Sequence, residues 1–242
     1  MGTPLLLPSL RASIENLKHH VDILVRMGHD EIMRSYGQNC ALAKALDVVG
    51  DRWTLLIVRE LMIRDRCRYT DLRNGLPGIA TNLLAERLNE MEQAGLVTPE
   101  AAPPPIATTL FQLTNRGKEL EPVIAELGRW GAPLLAEKGD REAFRDHWVA
   151  LPIRLYVRDQ APDEPRARIR LRAGNEVMIL QTAGDGSVQV HSGDATAADA
   201  CIEGPPRLIL ALLTGKKGLH EALGRGVRIE GDKRILKRFG PC

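Results

Sequence analysis

The sequence predicts an α+β fold in two halves, and three observations predict it. Residues 69–95 read as two short helices joined by a sharp turn, the second with the apolar spacing of a buried stripe. Two short β-prone runs, 96–100 and 109–113, follow directly. After Lys138-Gly139-Asp140 the periodicity changes, and alternating residues mark five strands interleaved with an apolar helix. Of 242 residues, 44% are hydrophobic and 26% charged, enough apolar material for two real cores. The expected layout is a mainly helical domain over 35–138 and a sheet-based domain over 139–242. Residues 1–34 precede them as an N-terminal extension.

In the extension, Ile14, Leu17, Val21 and Leu24 have helical spacing. The segment is either a disordered, mobile arm or a mispredicted extension ahead of a true start at Met27 or Met33. Its opening MGTPLLLPSL lacks a basic region and is broken by Pro4 and Pro8, unlike a signal peptide. No apolar run approaches the roughly 18 residues of a membrane span. The four cysteines, Cys40, Cys67, Cys201 and Cys242, form no C-x-x-C pair. A reducing cytoplasm is the expected compartment.

Two helices are read from Cys40 to Val49 and from Arg52 to Ile63, parted by Gly50-Asp51. The second should turn Trp53, Leu56, Ile57 and Leu61 inward. In the hairpin that follows, Thr70 is the expected N-cap and Asp71 an acid in the first turn. Asn74-Gly75 and Pro77-Gly78 break that helix. A longer helix over 80–93 should bury Leu84, Leu88 and Met91 and end at Gly95. Its opposite face carries Asn82, Ala85, Glu86 and Asn89, which are small or hydrogen-bonding rather than long and charged. Helix, glycine-containing turn, helix with a polar face on the second is the helix-turn-helix pattern. The two strands after it, joined by AAPPPIAT, would form a wing. Thr114 should cap one long helix over 115–137, with Leu120, Val123, Ile124, Leu127, Trp130 and Leu134 on one stripe. Such a helix serves as a dimer element or packs on the second domain.

The stretches YGQNCALAKALDVVGDRWTLLIVREL, YTDLRNGLPGIATNLLAERLNEMEQAGLV and LFQLTNRGKELEPVIAELGRWG strongly resemble the HxlR-type winged-helix transcriptional regulators over 35–135. The most specific pieces are Gly50-Asp51-Arg52-Trp53, Leu76-Pro77-Gly78-Ile79, and Leu113-Thr114 with Gly117. The resemblance implies a homodimer that binds double-stranded DNA. The family often has Ser-Pro where this chain has Ala80-Thr81, so Thr81 is expected to cap one residue later. The wing also lacks an arginine at its tip.

The DNA-binding residues expected on these grounds are Arg52, Arg68, Arg73, Thr81, Asn82, Ala85, Glu86, Arg87 and Asn89. Asparagine suits adenine, glutamate can accept from cytosine, and arginines beside the first hairpin helix suit phosphate. Net charge is only +2, so any basic patch must be local. Residues 52–74 hold six arginines against three acids. Arg87 would touch phosphate or lock the helix to an acid such as Asp71. Cys40 sits where some family members carry an oxidant-sensing thiol, and a structural thiol is the other reading.

In the C-terminal half a helix is expected over 141–157, interrupted near Pro152. Strands follow over 166–171, 176–181, 187–191, 199–203 and 227–230, the first turning Arg166, Arg168, Arg170 and Arg172 to one face. Pro206 opens an apolar helix, and Asp232 caps a last helix to Phe239. DATAADACIEGPPRLILALLTGKKGLHEALGRGVRIEGDKRILKRF resembles the sterol-carrier-protein-2-like fold over 141–239. That resemblance implies helices on a five-stranded sheet and often an apolar tunnel for a lipid-like ligand. The 176–181 strand is apolar on both faces and needs cover on both. Val177, Ile179, Leu208 and Leu212 are the expected ligand contacts, and a fully packed core is the alternative. No catalytic constellation, metal spacing or cofactor motif is found. The reading is a DNA-binding regulator controlled by a small apolar ligand. The rivals are a lipid carrier whose winged helix is only structural, and an enzyme of unknown reaction.

Overall fold

The computed structural model describes residues 35–102, 108–136, 143–193 and 197–241. The N-terminal extension, the proline-rich wing connection and the 138–140 junction lie outside them, as does Cys242. The chain divides into two compact units at Arg52–Trp53. Among the described residues no helix is long and apolar enough to cross a membrane.

The first unit contributes helix α1, Ala41–Val49, which starts after Cys40. Ahead of it, the Asp47 carboxylate accepts from the Ser35 hydroxyl and the Tyr36 N–H, at 2.9 and 2.8 Å.

The second unit opens with α2, Thr54–Arg64, which buries Ile57, Val58, Leu61, Met62 and Ile63. Trp53 precedes it with φ +85°, a left-handed conformation unusual for a large side chain. Leu56, expected inside, is 41% exposed. β1, Arg66–Arg68, leads into α3, Tyr69–Gly75. Thr70 is therefore inside the helix rather than its cap. Asp71 still serves the first turn, accepting from the Arg68 N–H at 2.9 Å. The turn to α4, Thr81–Gln93, passes through Gly78 at φ +91°. Ala80 holds the cap position of α4 without a side-chain bond, so Thr81 does not cap as expected. Leu84, Leu88 and Met91 are buried, and Gly95 at φ +68° ends the helix in the left-handed conformation that glycine tolerates.

β2, Val97–Ala101, and β3, Thr109–Leu113, pair antiparallel, and β1 adds to the far side of β3. The Thr114 hydroxyl accepts from the Gly117 N–H at 3.1 Å and donates to the Gly95 carbonyl at 2.6 Å. A Cβ at Gly117 would collide with the Leu96 carbonyl. The Thr-x-x-Gly motif thus closes the wing onto the end of α4. The long helix expected over 115–137 is three pieces: α5, Asn115–Lys118; α6, Glu121–Gly131; and a 3-10 turn, Ala132–Ala136. The two prolines explain the breaks. A proline tolerates only a first helical turn, so Pro122 forces a restart and Pro133 ends the α-helical hydrogen bonding.

In the C-terminal half a 3-10 turn, Asp146–Val149, runs into α7, Ala150–Tyr156. Pro152 falls in the first turn of α7, where it starts a helix rather than interrupting one. β5, Arg168–Ala173, β6, Glu176–Thr182, and β7, Val188–Ser192, form an antiparallel meander. β8, Ala200–Gly204, joins the other edge of β5 in parallel, and β9, Arg228–Gly231, pairs antiparallel with β8. The five-stranded order is β7-β6-β5-β8-β9. Between β8 and β9 lie α8, Pro206–Leu213, and α9, Leu219–Gly224. Ile169, Leu171, Met178, Leu180 and Ile202 are buried on the face that α8 covers.

The last helix expected to reach Phe239 is instead a short 3-10 turn, Ile235–Arg238, followed by β10, Phe239–Pro241. β10 pairs with β4, Val157–Asp159, in a separate two-stranded sheet. Buried Arg238 bonds Asp159 through Nε at 3.0 Å and Nη2 at 2.6 Å. That pair, with the ladder beside it, pulls the backbone out of the helix.

Candidate nucleic-acid interface

The outward face of α4 presents Thr81, Asn82, Ala85, Glu86 and Asn89, all exposed, opposite the buried leucine and methionine stripe. The spacing i, i+1, i+4, i+5, i+8 puts them on one side of a single helix. The stripe anchors the helix, and the free face offers amide, carboxylate and hydroxyl groups to a partner.

Arg68 and Arg73 are exposed at the two ends of α3. Arg52 is exposed too, in the first unit. Arg87 differs. Its side chain is 11% exposed, bonds Glu86 at 3.2 Å and pairs with Glu90. It holds the carboxylates of its own helix and has little surface left for phosphate. Its contact with Glu86 also orients a residue of the free face.

The family model described as HxlR-like helix-turn-helix matches residues 48–138. Over 87 residues the chain is 33% identical to the Bacillus subtilis protein YvaP, an uncharacterized HTH-type transcriptional regulator, covering 36% of this chain and 80% of that one. The chain belongs to the HxlR-like helix-turn-helix family. YodB of the same organism, an HTH-type transcriptional regulator, is 32% identical over 99 residues, covering 41% of this chain and 87% of YodB. The solved reduced form of YodB shares 31% identity, with 43% of this chain and all of YodB covered at a TM-score of 0.36.

Within this HxlR-like chain Cys40 is exposed and precedes α1. It makes no side-chain capping bond, and the nearby backbone amides of Ala43 and Leu42 hold its thiol below the ordinary cysteine range. Cys67 is the opposite case, fully buried on β1, where burial pushes its thiol up to about 12.

The four expected ligand contacts do not meet. Cross-strand register sets Val177 and Ile179 beside Arg172 and Arg170, on the sheet face opposite α8. There Ile179 is only 7% exposed and Val177 is half-buried. Leu208 and Leu212 lie on α8, across the sheet. Arg170 and Arg172, with Arg228, Glu203, Glu230 and Cys201, line a polar cleft of about 330 Å³ on that face. A second cleft, of about 370 Å³, lies among α8, α9 and the last 3-10 turn. Leu212, Leu213, Leu219, Leu236 and Phe239 form its apolar wall, and Lys233, Arg234 and Lys237 its rim.

Sequence reasoning missed a buried network at the back of the helix-turn-helix. Glu60 on α2 is fully buried. Its Oε1 accepts from Arg59 Nη2 at 2.7 Å and from Trp148 Nε1 at 2.8 Å, and its Oε2 lies 2.8 Å from His147 Nε2. Burial alone would raise the Glu60 carboxyl, but the bond from His147 and the charge of Arg59 outweigh it and hold the group below its ordinary value. A glutamate in the middle of an otherwise apolar helix stripe was the one available signal.

Proposed function

We propose that this protein is a sequence-specific DNA-binding transcriptional regulator that reads DNA with the free face of α4. The observation that carries the reading is that face itself, five exposed small or polar side chains backed by a buried apolar stripe. In helix-turn-helix proteins such a second helix lies in the major groove. Arg68 and Arg73 are assigned to phosphate, Asn82, Glu86 and Asn89 to base edges. The test is selection from random duplex DNA, followed by Asn82→Ala and Glu86→Ala. Each should relax preference at particular positions by about 1–3 kcal/mol. Arg73→Ala should weaken all sequences alike and lower the salt slope by about one. Identical base profiles for wild type and both helix variants would mean that another face binds.

The reading includes a homodimer. The α6 stripe supports it: Val123, Leu127 and Trp130 are exposed, as are Leu134 and Leu135 beyond it. It also includes a ligand-controlled C-terminal domain over 139–242. The apolar cleft with its Lys233, Arg234 and Lys237 rim suits a slender molecule with an anionic end. Adding a long-chain fatty acid to the protein–operator complex should shift DNA affinity by about 1–3 kcal/mol, the ordinary size of such coupling. Binding that leaves DNA affinity unchanged would favour the lipid-carrier alternative, and absence of binding would remove the ligand role.

A further inference from the structure

The buried network reaches the DNA-reading element by a specific route. α3 ends at Asn74 and Gly75, and the turn that aims α4 begins at Leu76. The last carbonyls of any helix lack partners within it. Here Arg59 Nη2 donates to the Gly75 carbonyl at 3.3 Å, and Arg145 Nε donates to the Asn74 carbonyl at 3.2 Å. Arg145 comes from the C-terminal half, and so do Trp148 and His147, which hold Arg59 and its partner Glu60. The Arg59 guanidinium lies 4.3 Å above the Trp148 ring, and both side chains bond the same Glu60 oxygen. His147 occupies the other Glu60 oxygen. The group is packed to its limit, since a Cβ on Gly75 would collide with the Glu60 carboxylate.

We propose that Arg145, His147 and Trp148 are positioning residues for DNA recognition. Arg145 holds the end of α3 directly at the Asn74 carbonyl, and His147 and Trp148 hold it through Glu60 and Arg59; together they set the angle at which α4 meets DNA, although none lies on the α4 face. The inference rests on the reading that α4 binds DNA. It gives the C-terminal half a hold on the turn, direct at the Asn74 carbonyl and relayed through Glu60 and Arg59 at the Gly75 carbonyl. Movement of the 3-10 turn that carries His147 and Trp148 would be felt at Gly75 before it was felt anywhere on the wing.

The test uses the full chain with two mild variants. Arg145→Gln removes an exposed guanidinium. Trp148→Phe keeps an aromatic ring over Arg59 and removes the indole N–H. Three quantities are measured: Kd for the selected operator, Kd for a random duplex of equal length, and amide hydrogen exchange over 69–79. The double variant should lose about tenfold on the operator and less than about twofold on random DNA, in the range seen when packed side chains couple distant sites. Exchange over 72–79 should quicken, and Arg145→Lys should recover most of the operator affinity. Unchanged operator affinity with unchanged exchange would overturn the proposal. So would a parallel fall in both affinities with a lowered Tm, which is the mark of general destabilisation. If wild type shows no sequence preference, the DNA reading fails, and the exchange data still decide whether the clasp holds α3.

Discussion

The surroundings of two cysteines of one chain set them up for different reactivity, backbone amides at Cys40 and burial at Cys67. Cys40 stands exposed at the start of α1, and the backbone amides of Ala43 and Leu42 beside it favour the thiolate. Cys67 lies inside β1, and burial disfavours its thiolate. The sign is direct: a lowered pKa means that the thiolate is present at lower pH. Alkylation by iodoacetamide at neutral pH should therefore modify Cys40 well before Cys67, with the Cys40 rate levelling off below the pH usual for a free thiol. Peptide mass mapping against time and pH checks this. Equal rates at both sites, or a Cys40 midpoint at or above the ordinary value, would count against the oxidant-sensing reading of Cys40. The contrast was half legible beforehand. No Lys, Arg or His lies within three residues of Cys40, which argued for an inert thiol. The activating groups are backbone amides, and these are visible only once α1 is known to start at Ala41.

At the scale of elements, local chemistry was readable and pairing across distance was not. The α4 stripe follows from spacing alone, and so do Thr114 as a cap and the arginine face of β5, because each depends on neighbours within a few residues. β1 is a three-residue strand, Arg66–Arg68, whose only reason is its partner β3 more than forty positions on. The last helix failed for the same reason. Nothing near Phe239 announces that β4 will pair with it, or that Arg238 will find Asp159, 79 residues away. The 115–137 break was legible in principle, since Pro122 and Pro133 stand in plain view. The Asp159–Arg238 pair supports a prediction of its own. Burial raises the Asp159 carboxyl, while the Arg238 guanidinium and the Ala161 N–H outweigh it and depress it. A depressed carboxylate contributes stability above its unfolded pKa and loses it as pH falls through the folded value. Asp159→Ala leaves the buried arginine with only the exposed Glu164 carboxylate at 3.6 Å and should cost about 3 kcal/mol. Urea unfolding across acid pH checks both points. Wild type should weaken below the ordinary carboxylate range, and the variant should start lower and lose less. A cost under about 1 kcal/mol would show that the pair is no better than a surface contact.

For the whole molecule the decisive element is α6, which is committed on one side and bare on the other. Its inner side is tied to the C-terminal half. The Tyr156 hydroxyl donates to the Ala125 carbonyl at 2.7 Å, and Arg154 Nε bonds Glu121 at 3.0 Å. Its outer side runs Val123, Leu127, Trp130, with Leu134 and Leu135 beyond, and Trp130 and Leu135 are each 76% exposed. Val123, Leu127, Trp130 and Leu134 on one side of the helix and its continuation, with exposed Leu135 next to them, form a patch that a monomer rarely leaves to water. A second copy applying the same stripe would cover it under two-fold symmetry, which is how most homo-oligomers close. Dimerisation would then present two α4 helices to half-sites about one helical turn apart, and the operator would be roughly palindromic. Leu127→Glu with Trp130→Glu places charge on the bare side and leaves the Tyr156 and Arg154 contacts alone, so the fold should survive with little change in Tm. Sedimentation should show wild type as a dimer at micromolar concentration and the variant as a monomer. The palindromic operator should lose at least about a hundredfold in affinity, because the second half-site no longer benefits from tethering, while a single half-site should bind both proteins alike. A wild-type monomer, or a variant still dimeric, would move the dimer contact off α6. A monomeric variant that kept full operator affinity would instead separate DNA reading from dimerisation altogether.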